Sequence, residues 1–102
     1  MIVITGTIKL SSEDQVAAAR NGLIARAERS AKDAGHIDYA FSQDFADPTL
    51  IRLVEKWESE EQLQAHIAVP DAEFSALMAN ADIQAAEVVA YDTDTGRVLM
   101  SS

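Results

Sequence analysis

Residues 50–66 read LIRLVEKWESEEQLQAH, an alternating run that passes directly into a helix start. The alternation predicts a strand over Leu50–Trp57. Ser59 and Gln62 have the spacing of a capping box, in which a serine accepts a hydrogen bond from the first turn of a helix. The helix that follows is expected to place three residues on one face, namely Leu63, His66 and Ile67.

Two more strands and a long helix are predicted upstream of this stretch. Residues 2–10 alternate as a half-buried strand, whose buried face is expected to contain Ile2, Ile4, Ile8 and Leu10. Ser12 and Gln15 form another capping box, which predicts a helix that ends at Gly35. A strand over Ile37–Phe45 would pair with the next strand as a hairpin. One face of this strand is expected to carry Ile37, Tyr39 and Phe41.

The elements downstream complete a recognisable order. Pro70 is expected to begin a further helix, and Ile83–Tyr91 reads as a fourth strand. The order β-α-β-β-α-β predicts a ferredoxin-like α+β fold with an antiparallel sheet, and we expect residues 1–102 to form one such domain. The helices can cover only one face of this sheet, yet neither of the last two strands has a wholly polar face. We therefore expect two copies to pack sheet against sheet as a homodimer.

Composition and charge exclude several classes of function. The chain has 102 residues, with 17 acidic and 8 basic side chains and a formal net charge of −9. A field of this sign repels phosphate groups, so neither a nucleic acid nor a membrane surface is expected as a partner. The chain has no cysteine and no apolar run near the roughly 20 residues that a membrane span needs. It begins without a signal-peptide pattern, and the expected location is the cytoplasm.

The densest group of candidate functional residues lies where the third strand meets the following helix. Trp57 would lie at the mouth between sheet and helix, and His66 would project towards that mouth from the helix. A flat aromatic wall beside an imidazole suits a planar aromatic ligand, with the histidine as base or hydrogen-bond donor. Each residue alone is also typical of core packing, so the residue types by themselves leave both interpretations open.

The spacing E-x-W-x-S-x-E-x-L-x-x-H, which runs from Glu55 to His66, resembles the antibiotic biosynthesis monooxygenase family. The resemblance extends over essentially the whole chain and includes the order of the strands. It implies a homodimeric α/β barrel with a pocket between the sheet and the helices of each subunit. It also implies a cofactor-independent monooxygenase that takes O2 and a small aromatic, phenolic or quinol-type compound.

The family resemblance also assigns roles to residues. His66 matches the family's helix histidine and is the expected catalytic base. The expected substrate-binding residues are Trp57, Tyr39, Phe41, Glu55 and Leu53, and no residue is expected to bind a cofactor or a metal. Two positions depart from the pattern: Leu53 stands where some monooxygenases have asparagine, and Asp71 stands where a histidine often follows. Glu55 reads either as a second acid–base group or as a hydrogen-bonded strand carboxylate.

These departures leave two further functions open. The same pocket would serve a small-metabolite isomerase, or the chain would be a non-catalytic dimer that binds a small molecule. The distribution of charge restricts the kinds of ligand that are expected for all three functions. Residues 44–102 hold twelve acidic and three basic side chains, so a strongly anionic substrate is not expected unless a basic side chain reaches it. The basic side chains in this part of the chain are Arg52, Lys56 and Arg97.

Overall fold

Four antiparallel strands and three helices build the protein, and the computed structural model describes all of residues 1–102. The strands are β1 (Ile2–Leu10), β2 (His36–Gln43), β3 (Leu50–Trp57) and β4 (Ile83–Asp92). The helices are α1 (Glu13–Ser30), α2 (Glu60–Ala68) and α3 (Ala72–Asn80). The strand order in the sheet is β2-β3-β1-β4. The predicted ferredoxin-like α+β fold is confirmed, with its second helical segment divided into α2 and α3.

The strand β1 lies in the middle of the sheet and sets which face is buried. Its even-numbered apolar side chains are all buried, as the alternation predicts: Ile2, Ile4, Ile8 and Leu10. Gly6 lies opposite Leu53 on one side and Val88 on the other. A Cβ atom at Gly6 would lie 2.8 Å from Cγ2 of Val88, so the close approach of β4 requires glycine there.

The helices pack on this buried face and divide the core into two clusters. One cluster lies beneath α2 and contains Ile2, Ile4, Tyr39, Leu53, Trp57 and Leu63. The other lies beneath α1 and contains Ile8, Leu10, Val16, Ala19, Leu23 and Ile51. Phe41 packs against both clusters, so the edge strand β2 joins them.

The helix α1 begins as predicted but ends earlier. The Ser12 hydroxyl accepts a hydrogen bond from the Gln15 amide at 3.2 Å. The predicted end at Gly35 is wrong, because the helix ends at Ser30 and residues 31–35 turn back towards the sheet. Gly35 has a φ of +85°, a left-handed conformation that suits glycine in the last residue of this turn. The turn places Asp33 outside the helix, where its side chain reaches α2.

The strand β2 is shorter than predicted and carries an irregularity near its start. It ends at Gln43 instead of Phe45, because the Asp44 carboxylate accepts hydrogen bonds from the amides of Ala46 and Asp47 and closes a turn. The register with β3 shifts between His36 and Asp38. This shift turns Ile37 outwards, so its predicted place beside Tyr39 and Phe41 is wrong.

The helical segment after β3 confirms one capping box and corrects two details. Ser59 accepts a hydrogen bond from the Gln62 amide at 3.2 Å. Leu63 and His66 are buried as predicted, but Ile67 is 59% exposed, because the short helix α2 presents only a narrow stripe to the sheet. The next helix begins at Ala72 instead of Pro70, since the Asp71 carboxylate accepts a hydrogen bond from the Phe74 amide at 3.0 Å.

All three helices pack on one face of the sheet and leave the opposite face uncovered. We call this face the outer face, and the register between β1, β3 and β4 places on it Val3, Thr5, Thr7, Val54, Val89 and Tyr91. Val54 and Tyr91 are exposed. No helix combines the length and apolar character that crossing a bilayer requires.

Candidate functional site

Trp57 is completely enclosed in the core cluster beneath α2. It is 0% exposed, and its indole Nε1–H donates a hydrogen bond to Oε1 of Glu55 at 3.0 Å. Glu55 is itself buried and is thus a hydrogen-bonded strand carboxylate in this structure. Leu53 is buried in the same cluster. These three predicted substrate-binding residues of β3 therefore lie together, but they lie in the core and line neither of the two main cavities.

His66 lies against Trp57 and is held from both sides by charged groups. The imidazole stacks on the indole, with ring centroids 4.3 Å apart and an interplanar angle of 29°. Its Nδ1 lies 2.7 Å from Oδ2 of Asp33, and its Nε2 lies 3.1 Å from Nη2 of Arg26. The residue is only 3% exposed. His66 is therefore a buried histidine in which both ring nitrogens have a partner.

The two partners fix which ring nitrogen carries the proton. A guanidinium group has only donors, so Nε2 of His66 must accept the hydrogen bond from Arg26. The Asp33 carboxylate accepts, so Nδ1–H of His66 donates to it. This arrangement is a neutral imidazole with its proton on Nδ1. It resembles the carboxylate–histidine pair of general-base catalysis, with Arg26 occupying the position at which a substrate proton would be accepted.

Arg26 connects His66 to the rest of the site. Its Nε donates to the Tyr39 hydroxyl at 3.4 Å, and its Nη1 lies 3.0 Å from Oδ2 of Asp71. Its guanidinium carbon lies 5.7 Å from the ring centroid of Tyr39 and 4.9 Å from that of Phe74. Burial works against the charged form of Arg26, but the hydrogen bonds with Tyr39 and Asp71 outweigh it and raise its pKa. Arg26 is thus a well-compensated, largely buried cation.

A cavity of about 490 Å³ opens between α1 and β2. Its inner wall is apolar, because Leu23, Tyr39 and Ile51 are buried there and Phe41 is half-buried. Its outer rim is formed by exposed side chains of α1 and the end of β2, among them Glu13, Arg20, Ile24, Glu28, Ser42 and Gln43. The volume falls within the range of roughly 300–1,000 Å³ that small-molecule pockets have.

Tyr39 is the residue that joins this cavity to the histidine. It lines the cavity, its hydroxyl lies beside Arg26, and its ring centroid lies 5.8 Å from that of His66. Burial raises the pKa of Tyr39 above its ordinary value, which the hydrogen bond from Arg26 only partly opposes. The Tyr39 hydroxyl is therefore protonated at neutral pH, and it can donate a hydrogen bond to a ligand or accept one from it.

The structure brings the predicted site residues together in two layers. Tyr39 and Phe41 line the cavity, whereas His66, Trp57, Glu55 and Leu53 lie behind it in the core. Two residues that the sequence analysis did not assign to the site, Arg26 and Asp33, complete it. Arg26 is 13 positions from Tyr39, and Asp33 is 33 positions from His66, so no local spacing indicates either contact. No three His, Asp or Glu side chains come together in a way that could hold a metal ion.

Asp71 neutralises the arginines on the far side of this network. Its carboxylate accepts from Arg26 at 3.0 Å and from Arg29 at 2.9 and 3.0 Å, and it also caps α3. Burial raises the pKa of Asp71, but the Phe74 amide and the guanidinium groups of Arg29 and Arg26 outweigh this and hold it below its ordinary value. The position that departs from the family's histidine therefore has a structural role here.

Comparisons with known proteins place this fold in a family. The family model for antibiotic biosynthesis monooxygenases matches residues 1–73. No curated protein has a significant sequence match. A candidate antibiotic biosynthesis monooxygenase from Deinococcus radiodurans superposes with a TM-score of 0.87 at 22% identity, over 99% of this chain and 100% of that one. A further structural neighbour is a mutant of SnoaB, a cofactor-independent oxygenase from Streptomyces nogalater, with a TM-score of 0.75 at 11% identity, over 93% of this chain and 94% of that one.

The ionised Asp71 carboxylate is expected to stabilise the protein at neutral pH. Since the folded-state pKa lies below the ordinary value of 3.8, this contribution is present above that value and is lost as the pH falls through the folded-state pKa. Asp71→Asn keeps the helix cap but removes the only carboxylate that pairs with the largely buried Arg26, and it is expected to lower the free energy of unfolding by about 2 kcal/mol at pH 7. Asp71→Ala also loses the cap and is expected to cost about 3 kcal/mol.

Urea denaturation of the three proteins between pH 7 and pH 3 measures this contribution. As the pH falls below 3.8, the difference between wild type and Asp71→Asn should shrink, because the wild-type carboxyl group becomes protonated, while Asp71→Ala stays less stable. A constant difference between wild type and Asp71→Asn over the whole range would contradict the assigned ion pairs.

Proposed function

We propose, since the chain belongs to the antibiotic biosynthesis monooxygenase family, that it oxygenates a small aromatic, phenolic or quinol-type compound with O2 and without a cofactor. The single observation that carries this proposal is the cavity between α1 and β2, because its inner wall contains a tyrosine that is linked through Arg26 to the Asp33–His66 pair. An apolar pocket whose inner wall contains a tyrosine, with an arginine and a histidine behind it, suits a planar ligand with one ionisable hydroxyl group.

The apolar wall determines how such a ligand would lie. A ring of the substrate would pack against Leu23, Ile51 and Phe41, and its hydroxyl group would point inwards to the Tyr39 hydroxyl. This position brings the substrate oxygen to the edge of the Arg26 guanidinium group, which already binds the Tyr39 oxygen. Hydrogen bonds from a neutral tyrosine and a cationic arginine would stabilise the substrate's phenolate.

His66 is the proposed base that takes the phenolic proton. In the structure, Arg26 donates a hydrogen bond to Nε2 of His66. This nitrogen can accept a substrate proton only after Arg26 has turned towards the developing phenolate. Nε2 would then accept the proton while Asp33 holds Nδ1–H and stabilises the imidazolium that forms. The Glu55 carboxylate, 4.0 Å from Nε2, adds a second negative charge beside it. The side chain of Arg26 would thus couple substrate binding to the freeing of Nε2 of His66.

The phenolate that results is electron-rich enough to react with O2 directly. For a phenol, one oxygen atom enters the ring as a quinone carbonyl, and the other leaves as water with the two hydrogen atoms that the substrate loses. The substrate supplies all four electrons that reduce O2, so the reaction balances without an external reductant. The protein's part is to deprotonate the substrate, to hold the anion and to keep bulk water from the pocket.

A non-catalytic binding protein is the second candidate, and the occupied Nε2 of His66 favours it. Both nitrogens of the imidazole have partners and the ring is buried, which is also the arrangement of a histidine with a purely structural role. In that case the cavity would bind the same class of aromatic compound, and Arg26 would stay on His66. The difference between the two candidates is turnover, which can be measured.

We further propose that residues 1–102 act as one domain and that two copies form a homodimer through the outer face. Members of this family act as small-molecule oxygenases and are often dimeric, and the exposed Val54 and Tyr91 on the outer face suit a second sheet as the partner. A cytoplasmic location and the absence of nucleic-acid and membrane partners remain predictions from the sequence.

Oxygen consumption tests the proposed reaction. Purified protein should consume O2 with at least one member of a panel of phenols and hydroquinones, above the rate without protein. With ¹⁸O2, one labelled atom should enter the product and the other should enter water. His66→Gln and Arg26→Gln are each expected to lower kcat by roughly 100-fold or more, because they remove the base and the group that stabilises the phenolate.

Arg29→Gln is the matched control, because Arg29 also pairs with Asp71 but contacts neither His66 nor Tyr39. It should keep the wild-type rate. Saturable binding of these compounds without O2 uptake would contradict the monooxygenase and support the non-catalytic binding protein. Conversion that does not depend on O2 would support an isomerase instead.

Light scattering during size-exclusion chromatography tests the dimer. The wild type should have about twice the chain mass of 11.0 kDa. Val54→Lys places a charge on the outer face and should reduce the mass to that of one chain. Ile67→Lys introduces the same charge on the exposed side of α2 and should leave the dimer intact. A monomeric wild type at all concentrations would contradict sheet-to-sheet association.

A further inference from the structure

Arg20 is a cation at the rim of the cavity that the protein itself does not neutralise. It lies near the middle of α1, and the four residues on the adjacent turns are uncharged: Val16, Ala17, Leu23 and Ile24. No carboxylate therefore occupies a position from which an ion pair along the helix would form. Arg20 also forms no ion pair with another element, unlike Arg26 and Arg29 of the same helix.

The two carboxylates on the same rim lie far from Arg20. Glu13 precedes it by seven residues and Glu28 follows it by eight, which corresponds to roughly 10 and 12 Å along the helix axis. The rim therefore carries one positive charge near its centre and a negative charge towards each end. A ligand with a single anionic group opposite Arg20 suits this pattern, whereas a ligand with several negative charges would meet Glu13 and Glu28.

The rest of the cavity indicates the chemical character of the other end of the ligand. Below Arg20 the wall is apolar and contains Leu23, Ile51 and Phe41, which suits an aromatic ring. Ser42 and Gln43 lie on the β2 side of the rim and offer uncharged hydrogen-bonding groups beside the same opening. The anionic group of a bound ring would therefore point outwards to Arg20, while the opposite end of the ring reaches Tyr39.

We propose that the ligand of this cavity is a monoanionic aromatic acid, whose carboxylate pairs with Arg20 at the rim and whose phenolic hydroxyl group reaches Tyr39. This inference rests on the proposed function, since it specifies the ligand of the same cavity. Arg20 is then a residue that determines specificity, and it takes no part in the proton transfer at the inner end. Because the net charge of −9 repels anions from the protein surface as a whole, a single negative charge would be bound only beside an unpaired cation such as Arg20.

Two probes of nearly equal shape isolate the contribution of the charge. Binding of 2-naphthoate and of 2-naphthylmethanol would be measured by calorimetry and by NMR shifts of the methyl groups of Leu23 and Ile51. The wild type is expected to bind 2-naphthoate roughly fivefold to tenfold tighter, a preference that weakens as salt is added. Arg20→Gln should remove this preference and leave the affinity for 2-naphthylmethanol unchanged.

Arg97→Gln is the control, because Arg97 is an exposed arginine that forms no ion pair and does not line the cavity. It should keep the wild-type preference for 2-naphthoate. If both probes shift the cavity methyl groups but the wild type shows no preference, or Arg20→Gln retains it, the assignment of Arg20 is wrong while the cavity remains a ligand site. If neither probe shifts those methyl groups, both this inference and the proposed function are contradicted.

Discussion

The site is organised around the buried positive charge of Arg26. A guanidinium group removed from water must meet carboxylates, hydrogen-bond acceptors or aromatic faces, because an uncompensated charge in the interior is very costly. Here Asp71 at the start of α3, His66 on α2 and the Tyr39 hydroxyl on β2 satisfy it together. One side chain of α1 thus connects the three other elements that surround the site.

The same side chain links the protonation of His66 to the cavity. Because Arg26 can only donate, it holds Nε2 of His66 as an acceptor, and Asp33 holds the other nitrogen as a donor. Tyr39 accepts a hydrogen bond from Arg26 and lines the cavity, so it connects this arrangement to the inner wall of the cavity. A ligand that attracts Arg26 would therefore free Nε2 of a histidine that lies behind the cavity wall, so that a buried base responds to an occupied pocket.

Local rules predicted most of the fold but only part of the site. The alternation of β1 and the capping boxes at Ser12 and Ser59 depend on neighbouring residues alone, so the sequence is sufficient for them. The outward turn of Ile37 depends on a register shift between two strands, which no alternation within β2 reveals. The sequence also placed Trp57 at a pocket mouth, whereas the structure encloses it beneath His66 and opens the cavity on the other side of Tyr39.

The position of the proton on the His66 ring can be measured directly. A long-range ¹H–¹⁵N NMR spectrum of ¹⁵N-labelled protein at neutral pH distinguishes a protonated ring nitrogen from an unprotonated one. We expect a proton on Nδ1, hydrogen-bonded to Asp33, and an unprotonated Nε2 that accepts a hydrogen bond from Arg26. Arg26→Gln and Asp33→Asn would each perturb the resonance of the nitrogen that they contact. A proton on Nε2 instead of Nδ1, or protons on both nitrogens, would contradict the role of Arg26 as hydrogen-bond donor to His66.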